Sequence, residues 1–396
     1  MPASGQPAEA TAGPAARAAG FAPLAGYYLL YFATTGILLP YLPAWLKSLG
    51  LPASQVGVLI ALQPTWTLIA PPLWGHLADR FGRPDRVLSA ISLGAVIGFA
   101  PLLVTERFWP IVLALTAYAF FASAITSIAD SLALHRVALR GGSYARIRLF
   151  GSIGFVLSTS AFGFAVDKMD RRVIAVALAL MGAYFLWTFT LRAQAAAVPG
   201  RHPLQGLTLL RHRDLALVLL ACALHWIASA PYHGNFGIHV IALHLPPWVI
   251  GVSAALGVIA EILVMYLYPR VAERLAPRHV LLVAFVGSAV RWTGMALVDG
   301  AAAIIALSLL HGLSFGAFYV AAVQFVSRRV PATLRATGQA LMASVTFGVG
   351  GLVGYVSAGA GYELLGGHRL FAAAAVLELV PAALILFARP ASATDG

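Results

Sequence analysis

Residues 74–88 read WGHLADRFGRPDRVL and residues 268–282 read YPRVAERLAPRHVLL, an offset of 194. In this alignment Ala78, Asp79, Arg80 and Leu88 fall on Ala272, Glu273, Arg274 and Leu282. Each copy is a short arginine-rich connection between two apolar runs. Glycine-rich FGSIGF at 150–155 and FGVGGL at 347–352 match a second time. A connection repeated in both halves of one chain points to a duplicated helical unit.

The surrounding composition says where that unit lives. Of 396 residues, 60% are apolar and 10% charged, against about 45–50% and about 25% in a soluble domain. Too few polar residues are present to cover soluble domains, which excludes a soluble enzyme and a disordered chain. The one cysteine, Cys222, lies in an apolar run and excludes a disulfide scaffold. An integral membrane protein remains.

A bilayer core of about 30 Å takes about 20 apolar residues per helix. Twelve stretches qualify: 21–45, 54–78, 87–104, 109–134, 145–166, 173–191, 214–240, 248–269, 279–298, 301–326, 335–361 and 369–388. The longest connection, 192–213, carries Arg192, Arg201, Arg211 and Arg213 with Pro199 and Pro203. The expected organisation is therefore a disordered tail at 1–20, a six-helix bundle at 21–191, a linker at 192–213, a second six-helix bundle at 214–388 and a tail at 389–396. The fold class is all-α, with twelve transmembrane helices in two pseudo-symmetric bundles. The tail lacks the charged region, short apolar run and cleavage site of a signal peptide.

The net charge is +12, and Lys47 and Lys168 are the only lysines. The arginines sit in gaps between apolar runs rather than on one clustered face, which argues for topology and against a nucleic-acid partner. With the N-terminus inside, inner segments hold 19 basic residues and outer segments 6, leaving Arg291 mid-helix. The positive-inside rule then puts both termini in the cytoplasm, in a bacterial-type inner membrane.

Ionisable groups within spans cost about 2.5–3.5 kcal/mol each at a helix centre, so each is a functional candidate. Asp130, Glu261, Arg291, His311 and Glu378 qualify, with Arg148 near the start of its helix. Asp130 and Arg148 make a plausible cross-helix ion pair, and Glu261, Arg291 and His311 a plausible network. Moving an arginine between carboxylates would move a proton, because burial and a nearby cation act oppositely on a carboxyl. Glu378 has no basic partner on its own helix and reads as a packing residue. His225, His233, His239 and His244 are spaced too irregularly to argue for metal or haem. Tyr31, Trp66 near Pro64 and Tyr232 after Pro231 are candidate cavity walls. No CxxC, HExxH or P-loop pattern is present, which argues against a membrane-embedded enzyme.

The segment Gly75-His-Leu-Ala-Asp79-Arg80-Phe-Gly82-Arg83 resembles the signature of the major facilitator superfamily between helices 2 and 3. Gly75 would admit a close neighbour, and Asp79 with Arg80 and Arg83 would form a conformational latch. YARIRLFGSIGF (144–155), GVIAEIL (257–263), AVRWTGM (289–295), LHGLSFGAFYVAA (310–322) and GILLPYLPAWLKSLGL (36–51) are similar to the phenylpropionate and lactose permease group, which also resembles nucleoside:proton symporters.

That resemblance implies alternating access with proton symport. It places Asp130, Arg148 and His311 with Tyr31, Trp66 and Tyr232 at the substrate, and Glu261, Arg291 and His311 at the proton. The separations of 18 between Asp130 and Arg148 and of 20 between Arg291 and His311 are those of lactose permease. Ser314 replaces that permease's proton-releasing carboxylate, so Glu261 is assigned the proton, Arg291 the switch and His311 the relay.

The favoured substrate is a small aromatic carboxylate, with sugar or nucleoside symport and efflux antiport as alternatives. A non-transporting sensor is the rival class. No cofactor or metal is expected. The proton gradient supplies the energy, the lipid bilayer is the surrounding partner, and the chain works as a monomer.

Overall fold

The computed structural model describes residues 14–191, 208–331 and 334–388. The expected tails at 1–13 and 389–396 and most of the linker, 192–207, lie outside the described residues. The first half holds α1 (Pro14–Ser48), α2 (Ala53–Phe81) and α3 (Pro84–Phe99, continued by a 3-10 turn to Leu103). Next come α4 (Phe108–Ala122, then Ile125–Arg140 after a break), α5 (Tyr144–Ala165) and α6 (Arg172–Trp187). The second half holds α7 (Arg213–Ala242), α8 (Trp248–Ala272) and α9 (Pro277–Leu297). In α10, Ala301–Ser308 and Phe318–Arg329 flank a π segment, Gly312–Ala317.

The last apolar helix, Thr337–Phe387, runs 51 residues. At about 1.5 Å per residue that far exceeds the roughly 30 Å of a bilayer core. Gly366 divides it, with φ 74° and ψ 171°, a conformation that only glycine adopts without strain. We label 335–365 α11, which also contains a π segment, Ser344–Val349, and 367–387 α12. Twelve crossings result, matching the twelve apolar stretches. One boundary differs from expectation: α1 begins at Pro14, not after residue 20. The alanine-rich run 14–19 favours helix, and proline is tolerated in a first turn.

Local sequence explains the helix ends. Pro84 and Pro277 open α3 and α9, where a missing N–H costs nothing. Gly82 ends α2 in the left-handed region at φ 59°, its N–H on the Asp79 carbonyl at 3.2 Å.

The two halves meet through small residues. A Cβ on Gly57 (α2) would lie 2.9 Å from the Cα of Gly359 (α11). A Cβ on Gly163 (α5) would lie 3.0 Å from the Cα of Trp248 (α8), and one on Gly237 (α7) 2.6 Å from the Pro40 carbonyl (α1). Gly251 of α8 abuts Thr159 and Tyr41. Without a hydrophobic force between helices in lipid, close backbone approach of this kind drives packing. All four contacts lie toward the end that carries the arginine-poor loops, so the halves are shut there. Cys222 is buried in the core of the second half.

Candidate functional site

In the first half, Tyr28 on α1 donates a hydrogen bond to Asp130 on the second segment of α4. Tyr144 and Arg148 are one turn apart on α5, so both side chains face this pair. The Arg148 guanidinium lies 4.1 Å from the Phe32 ring centroid and 5.5 Å from that of Tyr28. Among the described residues, Asp130 and Arg148 form no direct ion pair, contrary to expectation. Tyr28 takes the carboxylate, and the ring faces of Tyr28 and Phe32 take the cation. Tyr31 belongs to the same cluster, edge-on to Phe32 at 5.1 Å and to Tyr184 at 5.7 Å.

In the second half, Arg291 on α9 is 1% exposed. Its Nη1 donates to His311 Nδ1 at 3.1 Å and to Ser314 Oγ at 2.9 Å, both on α10. Its guanidinium also stacks 4.0 Å from the Tyr232 ring, which follows Pro231 in α7. Glu261 on α8 does not pair with Arg291 as expected. His311 stands between them, with Nε2 3.8 Å from the Glu261 carboxylate. Because Nδ1 accepts from Arg291, the neutral ring carries its proton on Nε2, the nitrogen facing Glu261. Ser314 fills the place of the permease carboxylate as an acceptor for Arg291. Arg291 Nε and Nη2 find no hydrogen-bond acceptor among the described residues. Those two atoms form one edge of the guanidinium, the edge that binds a carboxylate with two parallel bonds.

The charged groups of the two halves face each other. Tyr319 on α10 lies in the fields of Arg148, Asp130 and Glu261 together, and Glu261 lies in that of Arg148. Tyr319 is nevertheless 37% exposed, so packing does not close over the interface at this level. Aromatic rings line the neighbouring wall: Trp226 stacks on His233 at 4.7 Å and meets Phe347 at 4.7 Å and Phe315 at 5.9 Å. Trp66 does not join it. Its ring packs against Phe120 at 5.1 Å, inside the first half.

Sequence reasoning missed two features. Tyr28 looks like one aromatic among many until α1 and α4 are brought together. Glu378 has a basic partner after all, supplied by α7. Its carboxylate lies 2.9 Å from His225 Nδ1 and accepts from Trp292 Nε1 at 3.2 Å, with His225 and Glu378 both fully buried. The only available signal was a carboxylate in an apolar helix that also lacked a local partner.

In the signature segment, Arg83 bonds Asp85 through Nε at 3.1 Å and Nη2 at 2.9 Å. Asp79 and Arg80 are exposed, and in this state the segment's ion pair is Arg83–Asp85 rather than one to Asp79. A Cβ on Gly75 would meet nothing within 4 Å, so the expected close approach there is absent from this conformation. Among the described residues, no three His, Cys, Asp or Glu side chains converge in a way that could hold a metal ion.

Residues 21–373 match the MFS_1 like family. The chain belongs to that family. It is a secondary transporter of the major facilitator type, not an enzyme. It is 29% identical over 377 residues to a probable 3-phenylpropionic acid transporter of Escherichia coli K12, covering 92% of this chain and 95% of the relative. It is 32% identical over 331 residues to the maltose permease of Geobacillus stearothermophilus, covering 82% and 83%. The crystal structure of the nucleoside transporter NupG superposes with a TM-score of 0.84 at 16% identity, over 93% of this chain and 98% of that one. That likeness establishes the shared twelve-helix fold.

Proposed function

We propose that this major facilitator transporter carries a small aromatic carboxylate together with a proton, by alternating access across the bacterial inner membrane. The observation that carries this reading is the two-donor edge of Arg291, buried and without an acceptor among the described residues. A carboxylate reaching that edge completes the bonding of the guanidinium and supplies the counter-charge that no directly bonded acid among the described residues provides. Tyr232, Trp292 and the Trp226–Phe315–Phe347 wall suit a ring attached to it. Arg148 supplies a second cation on the opposite half, and a relative named for 3-phenylpropionic acid agrees with this chemistry.

Glu261 takes the coupled proton, Arg291 is the switch and His311 relays between them. The proton gradient is the energy source, no cofactor takes part, and the chain acts as a monomer. The two six-helix units, 21–191 and 214–388, rock about the site, with both termini cytoplasmic. Substrate-linked proton uptake in vesicles, compared between phenylpropionate-like acids and neutral sugars, tests the reading. Uptake with the acids alone is expected, and a response to sugars with none to the acids rejects it.

A sugar or nucleoside is the second reading. The Asp130 carboxylate held by Tyr28 beside Arg148 is a suitable grip for a pair of hydroxyls, and one relative is a maltose permease.

A further inference from the structure

The buried pair His225–Glu378 belongs neither to the substrate wall nor to the Glu261–His311–Arg291 network, and its bonding fixes its proton count. His225 Nε2 lies 2.9 Å from the backbone carbonyl of Ser314. A carbonyl only accepts, so Nε2 carries a hydrogen. His225 Nδ1 lies 3.0 Å from Glu378 Oε2. An unprotonated Nδ1 facing an ionised carboxylate would set two acceptors against each other in a site of zero exposure. One further proton therefore sits between them, on Nδ1 or on the carboxyl. Trp292 Nε1 donates to the other carboxyl oxygen. The pair is net neutral, fully bonded and sealed.

We propose that His225 and Glu378 form a second proton-binding site of the transport cycle, where the coupled proton is held while access to the cavity changes sides. This rests on the proton-coupled reading above. The acceptor of the Nε2 hydrogen is a carbonyl inside the π segment of α10, a local irregularity of the kind often found at functional sites. Ser314 also bonds Arg291, the arginine that contacts His311.

A shift of α10 that carries Ser314 away removes the acceptor from Nε2. The imidazolium N–H bond at Nε2 then breaks and its proton passes to entering water. Neutral His225 is left donating from Nδ1 to ionised Glu378. The groups facing the pair are Trp292 and Phe285 from α9, Ser314 and Phe318 from α10 and, at longer range, His233 from α7. Arg291 is the fixed charge linked to the pair through Ser314, and its approach favours proton release.

Glu378→Gln isolates the proton from the packing. The amide N–H donates to Nδ1 of neutral His225, Nε2–H still reaches Ser314, and the amide oxygen still accepts from Trp292. The variant, reconstituted in vesicles, is expected to exchange 3-phenylpropionate within about twofold of wild type. Its accumulation driven by a pH gradient should fall to the equilibrium level, and its substrate-linked proton uptake should disappear. Wild-type-like accumulation in the variant overturns the proposal and makes the pair a packing device. Absence of proton uptake in the wild type overturns the coupled reading itself, and this proposal with it. If the variant fails to exchange substrate, infrared difference spectra of the wild type decide. The His225 ring bands, assigned through their loss in His225→Asn, must shift between imidazolium and neutral imidazole on substrate addition, and unchanged bands remove the proposal.

Discussion

Gly57 and Gly359 bring α2 and α11 into backbone contact across the two halves, close enough that a Cβ on Gly359 would stand 2.8 Å from the Cα of Gly57. The atoms crowded there are main chain and cannot swing aside. Gly359→Val should therefore hold this end apart. Cysteines introduced near residue 57 become accessible from that side, while net transport falls at least tenfold. Unchanged accessibility with normal transport would show that this contact does not close the carrier.

Arg291→Lys keeps the charge and loses the two-donor edge. A hydrogen bond to a charged group contributes about 1.5–3 kcal/mol, so affinity for an aromatic acid should fall roughly 10- to 100-fold. Binding assays with the acid and its amide separate this from general damage, since the amide gains little from the edge in either protein.

Glu261→Gln imitates a permanently protonated side chain opposite His311 Nε2, 3.8 Å away. Uphill accumulation should be abolished and substrate exchange kept. Accumulation that persists under a pH gradient assigns the proton elsewhere.

Asp79→Asn touches an exposed carboxylate at the end of α2. It should slow turnover several-fold and leave substrate affinity within about twofold, consistent with a contact made only when the arginine-rich side closes. Loss of binding with a normal exchange rate would place Asp79 in the site.

The charge distribution predicts that reporters fused within 46–53 and within 192–213 fall on opposite sides of the membrane. Activity on the same side for both would overturn the topology.

The spans were legible because burial in lipid is a property of each stretch on its own. Even Gly366, whose non-helical backbone separates α11 from α12, sits in the polar gap between two apolar runs. Pairings were less legible, because they depend on which helices touch. Arg291 with His311 followed from a resemblance, yet the expected Glu261–Arg291 contact gave way to a histidine lodged between them. Likewise the hydroxyl of Tyr28, on the first helix, settled on the carboxylate expected to hold Arg148. Glu378 and His225 lie 153 residues apart, and no spacing rule joins a carboxylate in α12 to a ring in α7. Gly75 failed for another reason: a glycine in a signature reports what some state needs, and this conformation does not use it.

Cys222 is the chain's one sulfhydryl and is fully buried. A membrane-impermeant maleimide therefore finds no native target on the folded carrier. Any cysteine engineered into the loops or the interface reports only its own position, so the opening and closing of each side is readable on an otherwise natural sequence, without a sulfur-free background.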